Sequence, residues 1–558
     1  MNIVMPRRWR EYLSIVTLMA FVALVFWPGV HGFWGRDDYF LLAFARLLNS
    51  PWLLFTNDHY PVPGSVYRPL GYATIWLCER VFGAAYEPNA IADLALHILV
   101  GLALYNLMRR CGAVPILAAL ATLLFSVHPA VIGTALWWSA RFDLLAMLFT
   151  LVALNAAIEY TTKQRPWSLA TALTAILAAM LSKETGVIAV AAISLIWFDW
   201  AVTDQKHRAR AISAITASWL CLFAFFTWRG YVLGTFLSNV TGSVPLFDSI
   251  FKGLSNSWNI TTGYITFWQR LDSMQHTVVL LASVTFLVVA LSIFVFNRQY
   301  FRHQLDRGLI ACGLCLTLLP MLVQAPIEAF ASKLTHSMSV VEAAMQSRLY
   351  YMQLAGIALL LVAFTSPILK LGSNLKRIAL LMLIGAVIFV YGHVSRLDAQ
   401  QFATRSVHIS SVARAAVAAI SRMPLPKSKC TVFFYGYNPD SEWSKYVSID
   451  SIVKALAPDL QRVAHCWFHS NESTTVYLQA APTAPLDATP FLPYRVNGKQ
   501  LPWRRIGDLE FAYLQPPPTF KQEELDSMIF LQIDRGGVIR VRNEDRDHLI
   551  DILNSNRK

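Results

Sequence analysis

Charged residues and cysteines are both scarce in this sequence. Asp, Glu, Lys and Arg make up 15% of the 558 residues, whereas an ordinary soluble domain has about 25%, so a single water-soluble domain is excluded. The seven cysteines are too few and too dispersed to build a disulfide framework. Cys312 and Cys315 lie inside an apolar run, where a zinc or redox site would have neither water nor further ligands. We expect these two residues to serve packing.

The sequence also lacks a signal-peptidase site, an internal repeat and a continuous basic face. The first apolar run leads directly into Trp34 and Arg36 without the small residues that precede a cleavage site, so we expect it to remain as a membrane span. The formal net charge is +13, but the basic residues occur in short clusters between apolar runs. Such clusters indicate membrane topology and exclude a nucleic-acid-binding surface.

Long apolar runs are what the sequence has in abundance. Hydrophobic residues make up 55% of the chain and the mean hydropathy is +0.45, which is typical of a polytopic α-helical membrane protein. A helix needs about 20 apolar residues to cross a bilayer, and about eleven runs approach that length. They lie near residues 11–29, 90–108, 113–128, 143–161, 167–182, 186–202, 211–229, 276–296, 308–323, 349–367 and 377–394.

The basic clusters set the orientation of these spans, because Lys and Arg favour the cytoplasmic side of a membrane. All of the clusters fall on one side when every apolar run is counted as a span. The sequence therefore predicts a cytoplasmic N-terminus and an external C-terminal tail, which in a bacterium means the inner membrane and the periplasm. The clusters contain Arg7, Arg8, Arg10, Arg109, Arg110, Lys163, Arg165, Lys206, Arg208, Arg210, Arg298, Arg302, Arg307, Lys370, Lys376 and Arg377.

The predicted spans divide the chain into two regions. Residues 1–394 form the predicted membrane domain, and its first external loop covers residues 30–89. Residues 40–48 and 70–82 of that loop have helical apolar spacing but are too short or too charged to span. We expect these two segments to be helices lying along the membrane surface.

Residues 395–558 are rich in proline and charged residues and predict a soluble periplasmic domain of mixed α and β structure. Residues 431–436 and 475–478 have strand-like composition, and residues 549–553 are helix-like. An oxidising compartment would permit a disulfide between Cys430 and Cys466, but their spacing does not establish one.

Two adjacent carboxylates, Asp37 and Asp38, follow the first span. Charges at the edge of a bilayer are costly to hold, so this pair indicates a functional site. Aspartate is also favoured at the start of a helix by capping and by the helix dipole. A cap for a helix beginning near Tyr39 is therefore the structural alternative.

A second polar stretch covers residues 128–143. It precedes a complete span, so we expect a re-entrant or surface segment with Trp137 and Trp138 at the depth of the membrane interface. Arg141 and Asp143 would then lie at the external boundary, where an ion pair between them is the structural alternative. Asp93 and His97, one helical turn apart, predict a buried polar contact rather than chemistry.

A series of short motifs resembles the GT-C membrane glycosyltransferases, which include protein O-mannosyltransferases and aminoarabinose transferases. It is most similar to the transmembrane O-mannosyltransferases that carry tetratricopeptide repeats, and it covers the predicted membrane domain. The resemblance implies inverting transfer of a sugar from a polyprenyl-phosphate donor to an acceptor outside the membrane. The motifs are Asp37-Asp38-Tyr39, Tyr67-Arg68-Pro69-Leu70, His128-Pro129, Arg141-Phe142-Asp143, Lys183-Glu184-Thr185-Gly186 and Ser347-Arg348-Leu349-Tyr350-Tyr351.

The resemblance also implies roles for the site residues. Asp37 would remove the proton of the acceptor hydroxyl, and Asp38 would orient the acceptor or raise the basicity of its neighbour. Cations would stabilise the leaving phosphate; Arg348 and Lys183 are preferred, with Arg68, Arg141 and His128 as further candidates. Snorkelling to the interface is the alternative for these cations. The supporting residues are Arg36, Glu184, Asp143 and Tyr350.

The chain departs from these families in two places. It has no repeats, and Arg68-Pro69 stands where aminoarabinose transferases tend to have Lys-Pro-Pro, so neither a protein nor a lipid A acceptor is implied. No cofactor is expected, with a divalent ion between the two carboxylates as the alternative. The expected partners are the lipid-linked donor, membrane lipids and an external acceptor of unknown identity. The competing functions are a transporter or flippase for a lipid-linked sugar, and an assembly protein.

Overall fold

The computed structural model describes six stretches of the membrane region and seven strands of the C-terminal region. The stretches are residues 7–35, 37–58, 66–234, 307–331, 350–371 and 374–409. The predicted span near residues 276–296 and the predicted helix at residues 549–553 lie outside the described residues.

Fourteen α-helices make up the described membrane region. They are α1 (Arg7–Val30), α2 (Asp37–Leu47), α3 (Leu53–Thr56), α4 (Pro69–Phe82), α5 (Tyr86–Arg110), α6 (Pro115–Ser126), α7 (Ile132–Leu136), α8 (Arg141–Lys163), α9 (Pro166–Ser182), α10 (Ile188–Thr203), α11 (Arg208–Leu233), α12 (Arg307–Ala331), α13 (Tyr351–Leu371) and α14 (Asn374–Ile409). Short 3₁₀ turns precede α7, α8, α10 and α11. Ten of the predicted spans coincide with a helix in this series.

Local sequence explains where several of these helices begin and end. Helices α4, α6 and α9 each have proline at the first helical position, where the missing N–H group costs nothing and the fixed φ suits a helix. Helix α11 is ended by Gly234, the residue after Leu233. Its φ of 68° lies in the left-handed region that glycine tolerates. Helix α14 continues to Ile409, beyond the predicted domain boundary at residue 394.

The chain is a multi-pass membrane protein. Within the described stretches, five helical segments are long and apolar enough to cross a bilayer, and a sixth candidate is the pair of α6 and the segment Pro129–Leu136, bent by 58°. The central helix is α8, whose apolar side chains are mostly covered by protein, whereas α11 lies at the edge and exposes Trp219, Leu220 and Phe223. Exposed apolar faces of this size fit contact with lipid.

Some residues predicted to lie on the same side of the membrane contact one another. On the predicted cytoplasmic side, Arg110 pairs with Glu159 and Arg307 pairs with Asp199. On the predicted external side, the backbone N–H of Ser139 donates to Asp38. The topology itself stays a prediction, including which end of the bundle faces the cytoplasm.

The two predicted helices of the first external loop are confirmed as α2 and α4. The helical face of α4 that includes Tyr72, Ile75 and Glu79 is buried against the bundle, whereas Leu77 and Val81 are exposed. Helix α2 buries Leu41, Leu42 and Ala45. The loop therefore folds back over the bundle end and covers it.

The described C-terminal region forms one mixed sheet. Its strands are β1 (Thr431–Gly436), β2 (Arg462–His469), β3 (Thr474–Gln479), β4 (Trp503–Ile506), β5 (Leu509–Tyr513), β6 (Ile529–Ile533) and β7 (Ile539–Val541), in the order β4-β5-β3-β2-β1-β6-β7. Strand β1 pairs in parallel with β2 and β6, and the pairs β2–β3, β4–β5 and β6–β7 are antiparallel. Both predicted strands are confirmed as β1 and β3. The disulfide between Cys430 and Cys466 that the sequence leaves open is not tested, because Cys430 lies outside the described residues.

Gly186 shows how a short sequence motif positions the site. A Cβ atom at this position would overlap the backbone of Ala179 and Met180 in α9, so only glycine lets the turn Glu184–Val187 lie this close to the end of α9. We expect Gly186→Ala to lower the free energy of unfolding by about 3 kcal/mol, the upper part of the usual range for overpacking, because the obstacle is backbone.

Thermal or denaturant unfolding of the purified protein measures this effect. Gly385→Ala is the matched control, because nothing lies within 4 Å of its Cβ position on α14 and alanine is the better helix former. Equal stability of the two variants would contradict the packing role of Gly186.

Candidate active site

Asp38 joins the first external loop to the polar stretch before α8. Its side chain is buried, Oδ2 accepts a hydrogen bond from the backbone N–H of Gly35 at 3.0 Å, and Oδ1 accepts one from the backbone N–H of Ser139 at 3.0 Å. The helix begins at Asp37 rather than near Tyr39. Since one of the two N–H donors lies upstream of the helix and the other lies across the fold, Asp38 is more than a helix cap.

Buried aromatic rings reinforce this junction. Trp34 donates its indole N–H to the carbonyl of Ala84 at 2.9 Å, and its ring lies 4.9 Å from that of Trp138 and 5.2 Å from that of Tyr86. Trp137 and Trp138 are both buried. Trp138 contacts Trp34 of the first loop, and the predicted place of both tryptophans at the depth of the membrane interface stays a prediction.

Arg141 pairs with Asp93 inside the protein. Its Nε lies 2.6 Å from Asp93 Oδ1, and the exposed fractions of the two side chains are 1% and 0%. Nη2 also donates to the carbonyl of Asn89 at 3.3 Å. The predicted alternative, an ion pair between Arg141 and Asp143, is wrong because Asp93 on α5 takes that place. The Arg141 guanidinium is therefore paired within the bundle, and its predicted role in binding phosphate stays a prediction.

His97 makes the polar contact expected of it. Nε2 lies 2.9 Å from the carbonyl of Ser126, and Nδ1 lies 2.6 Å from the hydroxyl of Tyr351. A carbonyl only accepts, so Nε2 carries the proton and the hydroxyl of Tyr351 donates to Nδ1. These bonds fix the first turn of α13 to α5 and α6.

Lys183 and Asp143 form a second buried ion pair, with exposed fractions of 7% and 8% for the two side chains. Asp143 lies in the first turn of α8, two residues after Arg141, and Lys183 follows the last residue of α9. The first turn of α8 is therefore tied to α5 through Arg141 and to α9 through Asp143.

Arg68 and Glu184 form a third ion pair, which is more accessible than the other two. Arg68 Nη2 lies 2.7 Å from Glu184 Oε2, and the side chains are 20% and 33% exposed. The guanidinium carbon also lies 5.4 Å from the centre of the Phe142 ring. Burial lowers the pKa of Arg68, but the Glu184 carboxylate, Tyr72 and the Asp143 carboxylate together raise it by more, so its pKa is above the ordinary value and the side chain stays charged. Glu184 thus holds Arg68, and it also has Lys183 as an electrostatic neighbour.

His128 is a buried packing residue in this arrangement. Nδ1 accepts a hydrogen bond from the backbone N–H of Ala130 at 3.1 Å, and the ring lies 4.6 Å from that of Tyr391. Tyr350 is buried as well. Arg36, Arg348 and the side chain of Asp37 lie outside the described residues, so their predicted roles stay predictions.

One cation of this region was not predicted from the sequence. Arg229 lies near the end of α11, is 3% exposed, and has Glu184 and Arg68 as its electrostatic neighbours. Arg229 is the last residue of the apolar run 211–229, on the side predicted to be external. A charged residue at the external end of a predicted span is the sequence signal that would have identified it. Within the described stretches, no three His, Cys, Asp or Glu side chains converge as metal ligands.

The chain matches no protein-family model and no curated protein sequence. Its structure is similar to several solved structures at low sequence identity. One is the oligosaccharyltransferase AglB from Archaeoglobus fulgidus in complex with an inhibitory peptide and a dolichol-phosphate, at 11% identity and a TM-score of 0.41, covering 82% of this chain and 70% of that one.

Two further structures have comparable similarity. ArnT from Cupriavidus metallidurans in the apo state is 12% identical with a TM-score of 0.42, covering 80% of this chain and 85% of that one. The arabinosyltransferase EmbB from Mycobacterium smegmatis is 15% identical with a TM-score of 0.33, covering 79% of this chain and 46% of that one. Similarity at this level assigns neither a family nor an activity to the chain.

Proposed function

We propose that this protein is a membrane glycosyltransferase that moves a sugar from a polyprenyl-phosphate donor to an acceptor at the extracytoplasmic end of the bundle. The observation that carries the proposal is the set of contacts made by residues 139–143. Ser139 holds Asp38, Phe142 lies beside Arg68, and Asp143 pairs with Lys183. Motifs far apart in the sequence therefore meet in one place, with carboxylates and cations together.

Asp37 acts as the general base in this proposal, and Asp38 is a positioning residue. Both oxygens of Asp38 already accept backbone hydrogen bonds in a buried position, which makes it a poor proton acceptor. Asp37 is the adjacent carboxylate. The acceptor hydroxyl attacks the anomeric carbon as its proton passes to Asp37. The bond between the sugar and the phosphate oxygen breaks, and the phosphate leaves with the electron pair.

Arg68 and Lys183 stabilise the leaving phosphate in this proposal. Charge-assisted hydrogen bonds in a poorly hydrated site are the strong ones, and both cations are positioned by carboxylates, Glu184 and Asp143. Arg348 is a further candidate from its motif. Inversion at the anomeric carbon follows because a single displacement has the acceptor and the phosphate on opposite faces of the sugar.

The location of the charges favours an enzyme over a transporter. Transporters place their substrate groups near the middle of the membrane. Here the innermost charge of the site, Asp93, lies seven residues into α5, which is about 10 Å along the helix. The protein would reside in the bacterial inner membrane with this end in the periplasm.

Transfer by the purified protein tests the proposal. A polyprenyl-phosphate donor with a labelled sugar is incubated with the protein and candidate acceptors, and both labelled product and free polyprenyl phosphate are measured. We expect the two to appear in equal amounts. Movement of an intact donor across vesicle membranes, with no cleavage of the sugar–phosphate bond, would instead establish the transporter.

A further inference from the structure

Helix α14 is longer than a membrane span and runs along α1. It has 36 residues, which corresponds to about 54 Å, whereas the hydrocarbon core of a bilayer is about 30 Å thick. A Cβ atom at Gly392 of α14 would lie 3.3 Å from the ring of Phe21 in α1. The last turns of α14 continue past the end of α1 and reach the first external loop.

Two side chains of α14 bond to backbone groups of neighbouring helices. Pro28 lies inside α1 and has no N–H group, so the carbonyl of Leu24, four residues earlier, loses its usual donor within the helix. Arg396 supplies that donor through Nη1 at 2.6 Å. The hydroxyl of Ser395 donates to the carbonyl of Val127, at the end of α6, at 2.8 Å. These bonds fix α14 against both α1 and α6.

A third side chain of α14, Ser406, bonds to the chain where it leaves α1. The backbone N–H groups of His31 and Gly32 each donate to the carbonyl three residues earlier, at 3.3 and 3.1 Å, and thereby close the last turn of the helix. The N–H group of Phe33 instead donates to the hydroxyl oxygen of Ser406 at 3.0 Å. The bond from α14 therefore marks the point at which the helical turn gives way to the loop.

The surroundings of Ser406 show that this contact is close and specific. A Cβ atom at Gly32 would lie 2.8 Å from the hydroxyl oxygen of Ser406 and 3.2 Å from that of Tyr86, so glycine is what lets α14 approach. Ser406 is buried, and its hydroxyl donates to the carbonyl of Ala403 at 2.9 Å. The proton of the hydroxyl is thus directed away from Phe33, and the oxygen is free to accept from its N–H group.

The bond to Ser406 is the first contact of the chain that leads to the acidic pair. Phe33 is the first of three successive residues held by hydrogen bonds, and the other two are Trp34 and Gly35. Asp37 follows two residues later. A general base acts only from the right position, and a displacement of about 1 Å can reduce a rate by about 10²-fold. A contact that fixes the start of this segment therefore bears on the rate of proton removal.

We propose that Ser406 is a positioning residue that holds the segment of residues 33–38 in the geometry needed for transfer. The inference rests on the proposed function and adds to it a residue that lies outside every sequence motif and beyond the predicted membrane domain. Ser406 acts through the backbone N–H of Phe33. Since the chain enters the C-terminal region from α14, the same bond connects that region with the site.

Single-turnover transfer by the full-length purified protein at saturating labelled donor tests the inference. We expect Ser406→Ala to lower the rate constant by roughly 10-fold, a part of the effect of misplacing a catalytic group, and to leave the donor concentration for half-maximal rate unchanged. Ser406→Thr keeps the hydroxyl and should restore the rate constant to within about twofold of the parent. Ser218→Ala is the matched control, because Ser218 is also buried and donates to the carbonyl three residues earlier.

The rate constant separates positioning from a role in stability alone. If Ser406 only stabilises the fold, fewer Ser406→Ala molecules are folded, and the amount of product falls while the rate constant of the folded molecules stays that of the parent. That result would overturn the inference. Should Ser406→Ala not fold, Gly32→Ala displaces the hydroxyl from the other side, and a rate constant equal to that of the parent would overturn it.

Hydrogen exchange of the backbone amides in residues 33–38 gives a second measurement that needs no transfer. We expect exchange to be roughly 10-fold faster in Ser406→Ala, as for the loss of one hydrogen bond, and unchanged in Ser406→Thr and Ser218→Ala. If the parent transfers no sugar but exchange responds in this way, the proposed function fails and the role of Ser406 in holding the segment stands. Equal exchange in Ser406→Ala and the parent would overturn the inference even if the parent transfers sugar.

Discussion

Replacing Asp37 by Asn is expected to reduce sugar transfer by about 10²- to 10⁴-fold, the usual contribution of general acid–base catalysis. Asparagine has nearly the same shape but cannot accept the proton of the acceptor hydroxyl. The protein should still fold and bind its donor, because the hydrogen bonds that fix the first loop are made by Asp38. The measurement is the rate of a single turnover with a labelled donor, beside the unfolding temperature.

Two further variants test whether the loss of transfer is specific to Asp37. Asp199→Asn applies the same substitution at the opposite end of the bundle, where Asp199 forms an exposed ion pair with Arg307 at 3.4 Å, and it should leave transfer unchanged. Asp38→Asn should lower the free energy of unfolding by about 1–3 kcal/mol, because an amide cannot accept from both N–H groups. Full transfer by Asp37→Asn would refute the general-base assignment. Selective loss of transfer in a stable Asp38→Asn variant would move that role to Asp38.

Breaking the buried ion pair between Arg141 and Asp93 is expected to have the largest effect on stability. Removal of one partner leaves a charge without its counter-ion in a place with almost no exposure. Such a change costs about 3–5 kcal/mol, so either Asp93→Ala or Arg141→Ala should unfold well below the parent. Unfolding of the purified variants in detergent measures the effect. Glu159→Ala is the control, because its pairs with Arg110 and Lys163 are partly exposed and each such pair contributes about 1 kcal/mol or less.

Removing both charges together separates positioning from phosphate binding. The double variant Asp93→Leu, Arg141→Met should recover much of the lost stability, because apolar residues of similar volume often replace a buried ion pair without loss. If Arg141 only positions residues 139–143, this variant should also recover transfer. A double variant that is as stable as the parent but inactive would show that Arg141 acts on the substrate.

The helices of the membrane region could be predicted from the sequence, because a run of apolar residues is a local property. Helices α2 and α4 of the first loop were also predictable from their helical apolar spacing, and their place along the membrane surface stays a prediction. Helix α2 begins earlier than predicted because Asp38 bonds to Gly35, an upstream contact that an ordinary cap does not make.

The partners of the charged residues could not be predicted. Arg141 pairs with Asp93, 48 residues away, and not with the neighbouring Asp143, because the packing of α5 against α8 decides which carboxylate is within reach. The burial of Trp137 and Trp138 by protein could likewise not be predicted from a hydropathy pattern. Arg229 was missed for a related reason, since an arginine that ends an apolar run is usually a snorkelling residue. Its electrostatic neighbours Glu184 and Arg68 are brought near by the fold.

The anomeric configuration of the product is the most direct test of the central claim, which is that this end of the bundle carries out a single displacement at the sugar with a carboxylate as base. The product of a single turnover with a donor of defined configuration can be examined by nuclear magnetic resonance. We expect the inverted linkage, together with one polyprenyl phosphate released for each sugar transferred. A retained linkage, or a donor that stays intact while the protein is folded and binds it, would contradict the single displacement.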